Sequence, residues 1–132
     1  MINFYSQGQL QEALDGASLL LKQFPSSVNL YNIQGAANAG LGLLDAAVKS
    51  FEMAWQANPD YAQAYNNLGS ALQRKGDLDA ALRSYEKALK VEPVYADAYF
   101  NMGTVLQDKG DLKAAIETVS YTHLTLPTNR EV

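Results

Sequence analysis

The sequence predicts an all-α protein, a solenoid of stacked antiparallel helix pairs. The first observation is a period of 34 residues that four residue types keep along the chain. These are Pro25, Pro59, Pro93 and Pro127, then Gly8, Gly42, Gly76 and Gly110, then Leu10, Leu44, Leu78 and Leu112, then Ala13, Ala47, Ala81 and Ala115. The second is helical spacing of the apolar residues within each period. A fixed repeat of this length is typical of solenoids, because each unit buries its apolar face only against its neighbours.

Comparing the repeats with one another divides the chain into units. Residues 28–61 and 62–95 agree at 14 of 34 positions, and residues 62–83 and 96–117 agree at 13 of 22. We therefore predict full units at 28–61 and 62–95. A partial unit, mainly the second helix of a pair at 9–24, precedes them in 1–27, and an incomplete unit follows at 96–118.

Each unit reads as a helix, a tight turn, a second helix and a stop. In the middle unit Tyr65, Leu68, Gly69 and Leu72 have the spacing of one helix face, and Leu78, Ala81, Leu82 and Tyr85 that of another. Between them, Gly76 can adopt a positive φ, and the carboxylates of Asp77 and, in the next unit, Asp111 are expected to cap the helices that follow. Proline ends the second helix, because the residue before proline disfavours the α region.

Three glycines are predicted to lie in helix interiors, at Gly35, Gly69 and Gly103. Glycine there costs about 0.5–1 kcal/mol relative to alanine. We expect close packing between the helices of a pair to offset that cost, since Ala47, Ala81 and Ala115 are also small. The tyrosines and Trp55 are interpreted as core between the helices.

On these residues the chain resembles the tetratricopeptide repeat family, whose unit has an aromatic, Leu-Gly, an alanine followed by an aromatic, and proline. The matching residues are Tyr65, Leu68, Gly69, Leu72, Ala81, Tyr85, Ala88 and Pro93 in the middle unit, Tyr31, Gly35, Ala47, Phe51, Ala54 and Pro59 before it, and Tyr99, Met102, Gly103, Leu106 and Ala115 after it. The resemblance spans residues 8–117. It implies a right-handed superhelical solenoid whose first helices line a concave groove.

The repeat pattern ends after residue 117. Residues 118–129 match 84–95 only at Pro127, Val119 and Thr122 replace the expected aromatic and alanine, and Thr122, Thr125 and Thr128 form no apolar face. Segment 119–132 resembles translated sequencing-adapter read-through, which would make it artefactual and the chain a fragment of a longer array. The alternative is a diverged capping repeat.

Ligands of the family usually lie in the concave groove, so the resemblance implies a protein or peptide partner there. The corresponding positions also include Ala36 and Ala39, and the candidate site residues are Asn29, Asn32, Gln63, Asn66, Asn67, Ser70, Gln73, Arg74, Asp97, Phe100, Asn101, Thr104, Gln107 and Asp108. Side-chain amides donate and accept hydrogen bonds and suit the main chain of an extended peptide. The family's carboxylate-binding variant pairs Lys or Arg with Asn, and basic partners are missing here. A solvated helix face is the alternative interpretation.

Two further functions stay open. Asn67 and Asn101 resemble the asparagine-lined superhelix of O-linked N-acetylglucosaminyltransferases, which would make the chain the substrate-recruiting arm of a larger transferase; Ile33 departs from that pattern. Exposed apolar faces on terminal helices would instead favour self-association, as an oligomerisation element.

Composition argues against several classes of function. A net charge of −4 argues against nucleic acid and polybasic membrane binding. The chain has no cysteine, its one histidine is His123, and no phosphate-binding glycine motif occurs. We therefore predict no catalytic, metal or cofactor site, no membrane partner, and a cytoplasmic location.

Overall fold

A computed structural model describes residues 4–124 of the chain, with side chains described at 6–113 and at Ile116. Six α-helices follow one another over that range, and no strand occurs in it. They are α1 (Phe4–Leu21), α2 (Val28–Gly40), α3 (Leu44–Ala57), α4 (Ala62–Lys75), α5 (Leu78–Val91) and α6 (Ala96–Leu124). Each helix packs on the next, so the predicted all-α solenoid of antiparallel helix pairs is confirmed.

The two inner hairpins, α2–α3 and α4–α5, turn at glycine as predicted. Gly42 and Gly76 have φ angles of 81° and 91°, a region that side-chain-bearing residues rarely adopt. After α4, the N–H of Asp77 donates to the carbonyl of Leu72 at 2.9 Å, and that of Gly76 donates to the carbonyl of Gln73 at 3.0 Å. These bonds satisfy carbonyls that the end of α4 leaves open.

Helix α5 begins without the predicted side-chain cap. Asp77 is its N-cap residue, and its carbonyl accepts the N–H of Ala81 at 2.9 Å, but its carboxylate makes no capping bond. The capping role predicted for that carboxylate is therefore wrong. An acidic residue, Asp79, stands instead in the first turn of α5, where a negative charge complements the helix dipole.

The glycines inside α2 and α4 pack against aromatic rings of the next helix. A Cβ added at Gly69 would lie 2.5 Å from the ring of Tyr85, and one at Gly35 would lie 2.5 Å from the ring of Phe51. Both rings are buried. The predicted close packing is confirmed in these two units, and the aromatic of the second helix is the group that needs the space.

Both end helices run straight through the positions where turns were expected. Gly8 lies inside α1, and Gly110 lies inside the 29-residue α6, so Asp111 does not begin a helix. A turn interrupts backbone hydrogen bonds and becomes favourable only when the next helix packs back. Among the described residues, α1 packs only on α2, and α6 packs only on α4 and α5, so no further helix packs back beside Gly8 or Gly110.

Gly103, the third interior glycine, differs from Gly35 and Gly69 in its surroundings. No described residue would come within 4 Å of a Cβ at Gly103, so no described ring covers Gly103 as Tyr85 covers the equivalent Gly69. The side chains of Ala115, Val119, Thr122 and His123 lie outside the described residues, as do residues 125–132, including Thr125, Pro127 and Thr128.

Candidate functional site

Helices α2, α4 and α6 lie side by side and form one face of the solenoid. Between α2 and α4 it opens into a cleft of ≈240 Å³, which we call the groove cleft. Its lining is Ala36, Ala39, Phe51, Gln63, Asn67, Ser70, Ala71 and Arg74. The small alanines of α2 leave the space, and the longer polar side chains of α4 border it.

The polar side chains of the groove cleft are largely free. Those of Asn67 and Ser70 are half-buried and make no hydrogen bond with any described residue. Gln63 accepts the hydroxyl of Tyr61 at 2.9 Å, which leaves its amide nitrogen free. Arg74 donates one N–H to the carbonyl of Ala39 at 3.1 Å, close to the end of α2. Donors and acceptors therefore face the cleft with most of their capacity unused.

Between α4 and α6 the predicted site residues bind one another instead. The amide of Asn101 donates to Asn66 at 3.1 Å, and Asn66 is buried. The amide of Gln73 donates to the hydroxyl of Thr104 at 2.9 Å, and its oxygen accepts the hydroxyl of Tyr85 at 2.9 Å. In this part of the predicted groove, the polar side chains use hydrogen-bonding groups on one another and link neighbouring helices.

Asn32 occupies the same repeat position as Asn66 but has no partner. Its amide nitrogen and oxygen are both buried, and neither makes a hydrogen bond. Asn66 has Asn101 as a partner and also lies beside the hydroxyl of Tyr95, whose pKa is raised mainly by burial. The counterpart of Tyr95 one repeat earlier is Tyr61, whose hydroxyl donates to Gln63 and not to Asn32. A buried amide without partners is costly.

The remaining predicted residues lie on the exposed margins of the groove. Asn29, Asp97, Gln107 and Asp108 are exposed, and the ring of Phe100 is 73% exposed. Arg74 is the only cation among the fourteen predicted residues, and Asp97 and Asp108 carry negative charge towards the α6 side.

A second cleft, which the sequence analysis missed, lies between α2 and α3. It measures ≈380 Å³, and we call it the outer cleft; its lining is Tyr31, Gln34, Asn38, Ala46, Lys49, Ser50 and Met53. The amide of Gln34 donates to Ser18 of α1 at 3.1 Å, and its oxygen accepts a hydrogen bond from the hydroxyl of Ser50 at 2.9 Å. The signal in the sequence is Gln34 and Asn38, which stand where the next unit has Leu68 and Leu72.

The described residues show neither a metal-binding cluster nor a membrane-spanning helix. They contain no group of three His, Cys, Asp or Glu side chains placed to hold a metal. His123, the one histidine, lies outside the described side chains. No helix among the described residues combines the length and apolar character that a membrane span requires.

Three sequence profiles match the chain. One described as "TPR repeat" covers residues 74–110, and two described as "Tetratricopeptide repeat" cover 51–83 and 2–62. A comparison with curated proteins returns no match.

Solved structures share the fold. The Sgt2 TPR domain from Aspergillus fumigatus superposes with a TM-score of 0.79 at 20% identity, covering 97% of this chain and 80% of that one. The first TPR of Spaghetti (RPAP3), bound to the HSP90 peptide SRMEEVD, gives 0.74 at 24% identity, with coverages of 81% and 85%. MamA gives 0.72 at 27% identity and covers 84% of this chain, which spans 61% of the MamA chain.

Proposed function

Because the chain belongs to the tetratricopeptide repeat family, we propose that it is a protein-interaction scaffold that binds an extended segment of a partner protein in the groove cleft. The observation that carries the proposal is the set of unused polar groups on α4. Asn67 and Ser70 face a cleft whose opposite wall is made of small residues, Ala36 and Ala39.

The chemistry of the cleft favours the main chain of a peptide as ligand. An extended peptide presents N–H and C=O groups along its length, and an asparagine amide can accept from the first and donate to the second. Ser70 adds a hydroxyl, and Gln63 adds a free amide nitrogen. Small residues on α2 allow the peptide backbone to come close, and buried polar contacts of this kind give orientation and specificity.

The charge of the groove limits which peptides fit. Arg74 keeps unused donors, since the carbonyl of Ala39 takes one of its five N–H groups. It can bind one acidic or carbonyl group of the partner. A terminal carboxylate clamp needs a second cation, and the other predicted groove residues supply none. A solved structure of this fold holds an HSP90 peptide, which supports a peptide as the class of ligand here without supporting that sequence.

The test compares one substitution on two sides of the same hairpin. Peptides are selected on the wild type from a display library without tryptophan, and their dissociation constants are measured by fluorescence anisotropy. Ala36→Arg fills the groove cleft, whereas Ala46→Arg places the same side chain in the outer cleft; both alanines are exposed. We expect Ala36→Arg to weaken binding at least about tenfold, a loss of about 1.4 kcal/mol.

The control must leave binding within about twofold, which is roughly 0.4 kcal/mol. Circular dichroism verifies that both variants are folded. Equal losses in the two variants, or no loss in either, would contradict a site in the groove cleft.

A second proposal, self-association through α6, rests on its uncovered face. Tyr99 is 58% exposed and Leu106 is 53% exposed, and no described residue packs over Gly103 between them. An apolar helix face of this kind favours a protein partner. Light scattering over a concentration series should show a larger species that Leu106→Glu removes, whereas a monomer at every concentration would exclude it. The role as a transferase arm stays a prediction.

A further inference from the structure

We propose that the outer cleft is a second binding site, which takes the indole side chain of a tryptophan on a partner protein. It is separate from the groove cleft. Ala36 lies two residues from Gln34 and two from Asn38 along α2, which places it about 200° around the helix from each of them, at 100° per residue. The two clefts therefore open on opposite sides of α2.

The next repeat contains a filled copy of the outer cleft. The residues 34 positions after Tyr31 and Met53 are Tyr65 and Lys87. Between them lies the indole of Trp55 from α3. It stacks on the ring of Tyr65 with 5.6 Å between centroids and 24° between planes, and the Nζ of Lys87 lies 5.3 Å from its centroid. Trp55 also packs against the core cluster that contains Leu68 and Leu72, the counterparts of Gln34 and Asn38.

In the earlier repeat the position of that indole is taken by a smaller residue. The residue 34 positions before Trp55 is Leu21, the last of α1. Of the lining residues, Tyr31, Ala46 and Ser50 have counterparts of the same type one repeat later, and the cleft beside Tyr31 measures ≈380 Å³. That volume falls within the range of about 300–1,000 Å³ seen for small-ligand pockets.

The lining of the outer cleft suits an aromatic ring that has a polar edge. Tyr31 offers a ring for stacking, and the sulfur of Met53 can contact the ring edge. Gln34 and Asn38 replace Leu68 and Leu72 of the filled copy, whereas the counterpart of Ser50 is also a serine. The amide nitrogen of Asn38 donates to Ser50 at 3.5 Å, which leaves the amide oxygen of Asn38 to accept the indole N–H. A polar floor therefore favours tryptophan over phenylalanine.

The test is an NMR titration of the wild-type chain, labelled at the methionine methyl groups, with N-acetyl-L-tryptophanamide. N-acetyl-L-leucinamide is the control ligand. We expect saturable shifts at Met53 with the tryptophan amide and at least about tenfold weaker binding of the leucine amide. Shifts at Met53 that are equal for the two ligands, or absent, would overturn the proposal.

Three variants locate the site. Leu21→Trp supplies the missing indole from within the chain and should abolish binding. Ala46→Arg blocks the cleft from an exposed position, so it tests the same point without altering packed residues. Ala36→Arg, in the groove cleft, should bind the tryptophan amide as the wild type does. This result would show binding in the outer cleft whether or not the groove cleft binds a peptide. Binding that survives Ala46→Arg, or that is lost in Ala36→Arg, would also overturn the proposal.

Discussion

Alanine substitution at two equivalent glycines, Gly69 and Gly103, should change stability in opposite directions. The two positions are 34 residues apart and lie inside helices α4 and α6. A methyl group at Gly69 would lie 2.5 Å from the ring of Tyr85, whereas at Gly103 it would meet no described atom within 4 Å. The same chemical change therefore probes a close contact in one unit and its absence in the other.

The magnitude follows from two opposing effects. Alanine in a helix interior gains about 0.5–1 kcal/mol over glycine, and Gly103→Ala should show that gain alone. Overpacking a core costs about 1–3 kcal/mol. The ring of Tyr85 is fully buried, and its hydroxyl is bonded to Gln73, so it cannot easily move aside. We expect Gly69→Ala to lose about 0.5–2 kcal/mol in net free energy of unfolding.

The assay is urea denaturation followed by circular dichroism, with thermal melts as a second measurement. For a chain of this length, each kcal/mol should shift Tm by about 3–6 °C. A double-mutant cycle with Tyr85→Ala isolates the contact, because the methyl group should cost nothing once the ring is gone. Shifts of the same sign and size at Gly69 and Gly103, or no coupling to Tyr85, would refute the packing explanation.

Two further predictions compare paired positions, and a third concerns the pH dependence of stability. Gly76→Ala should lower the free energy of unfolding by about 1–2 kcal/mol because Gly76 has a φ of 91°. Gly110→Ala, inside α6, should raise it by about 0.5–1 kcal/mol, and urea midpoints that shift in the same direction would refute a continuous helix at Gly110. Asn32→Leu should stabilise the fold by about 1 kcal/mol because it removes a buried amide without partners, while Asn66→Leu should cost about 1–3 kcal/mol by breaking a made hydrogen bond. Burial raises the pKa of Tyr85 from 10.0 to about 12, so the neutral ring is favoured in the folded state. The contribution of Tyr85 to stability should be constant below pH 10 and fall between pH 10 and 12, so Tyr85→Phe should reduce the fall in Tm over that range.

The inner part of the fold could be predicted from sequence because the pattern there is local. Helical spacing, a glycine at the turn and a proline after the second helix all act within one unit. Gly42 and Gly76 adopt the positive φ expected of them, and helices α2–α5 lie within the predicted units. Gly8 and Gly110 share the same local pattern but remain helical, because a turn also needs a helix to pack back, and local sequence does not encode that.

The candidate site was predicted less completely, for a similar reason. Repeat position identifies which residues of the first helices lie near the groove, but pairing between neighbouring units decides which are available. Asn66 and Asn67 are adjacent in sequence, yet the first is bonded to Asn101 and the second faces the groove cleft. The outer cleft lies beside Tyr31, whose counterpart Tyr65 stacks on the indole of Trp55 one unit later, and the repeat pattern, which has a tyrosine at both positions, does not distinguish the two places.

The sequence by itself determined the repeat length, the helical class, the family and the places where turns can form, since each depends on residues close together in the chain. The tertiary structure decided which of those turns form, which amides stay free and which of two equivalent clefts is filled. Those outcomes depend on contacts between units about 34 residues apart, where the burial of a ring or the pairing of an amide outweighs local preference.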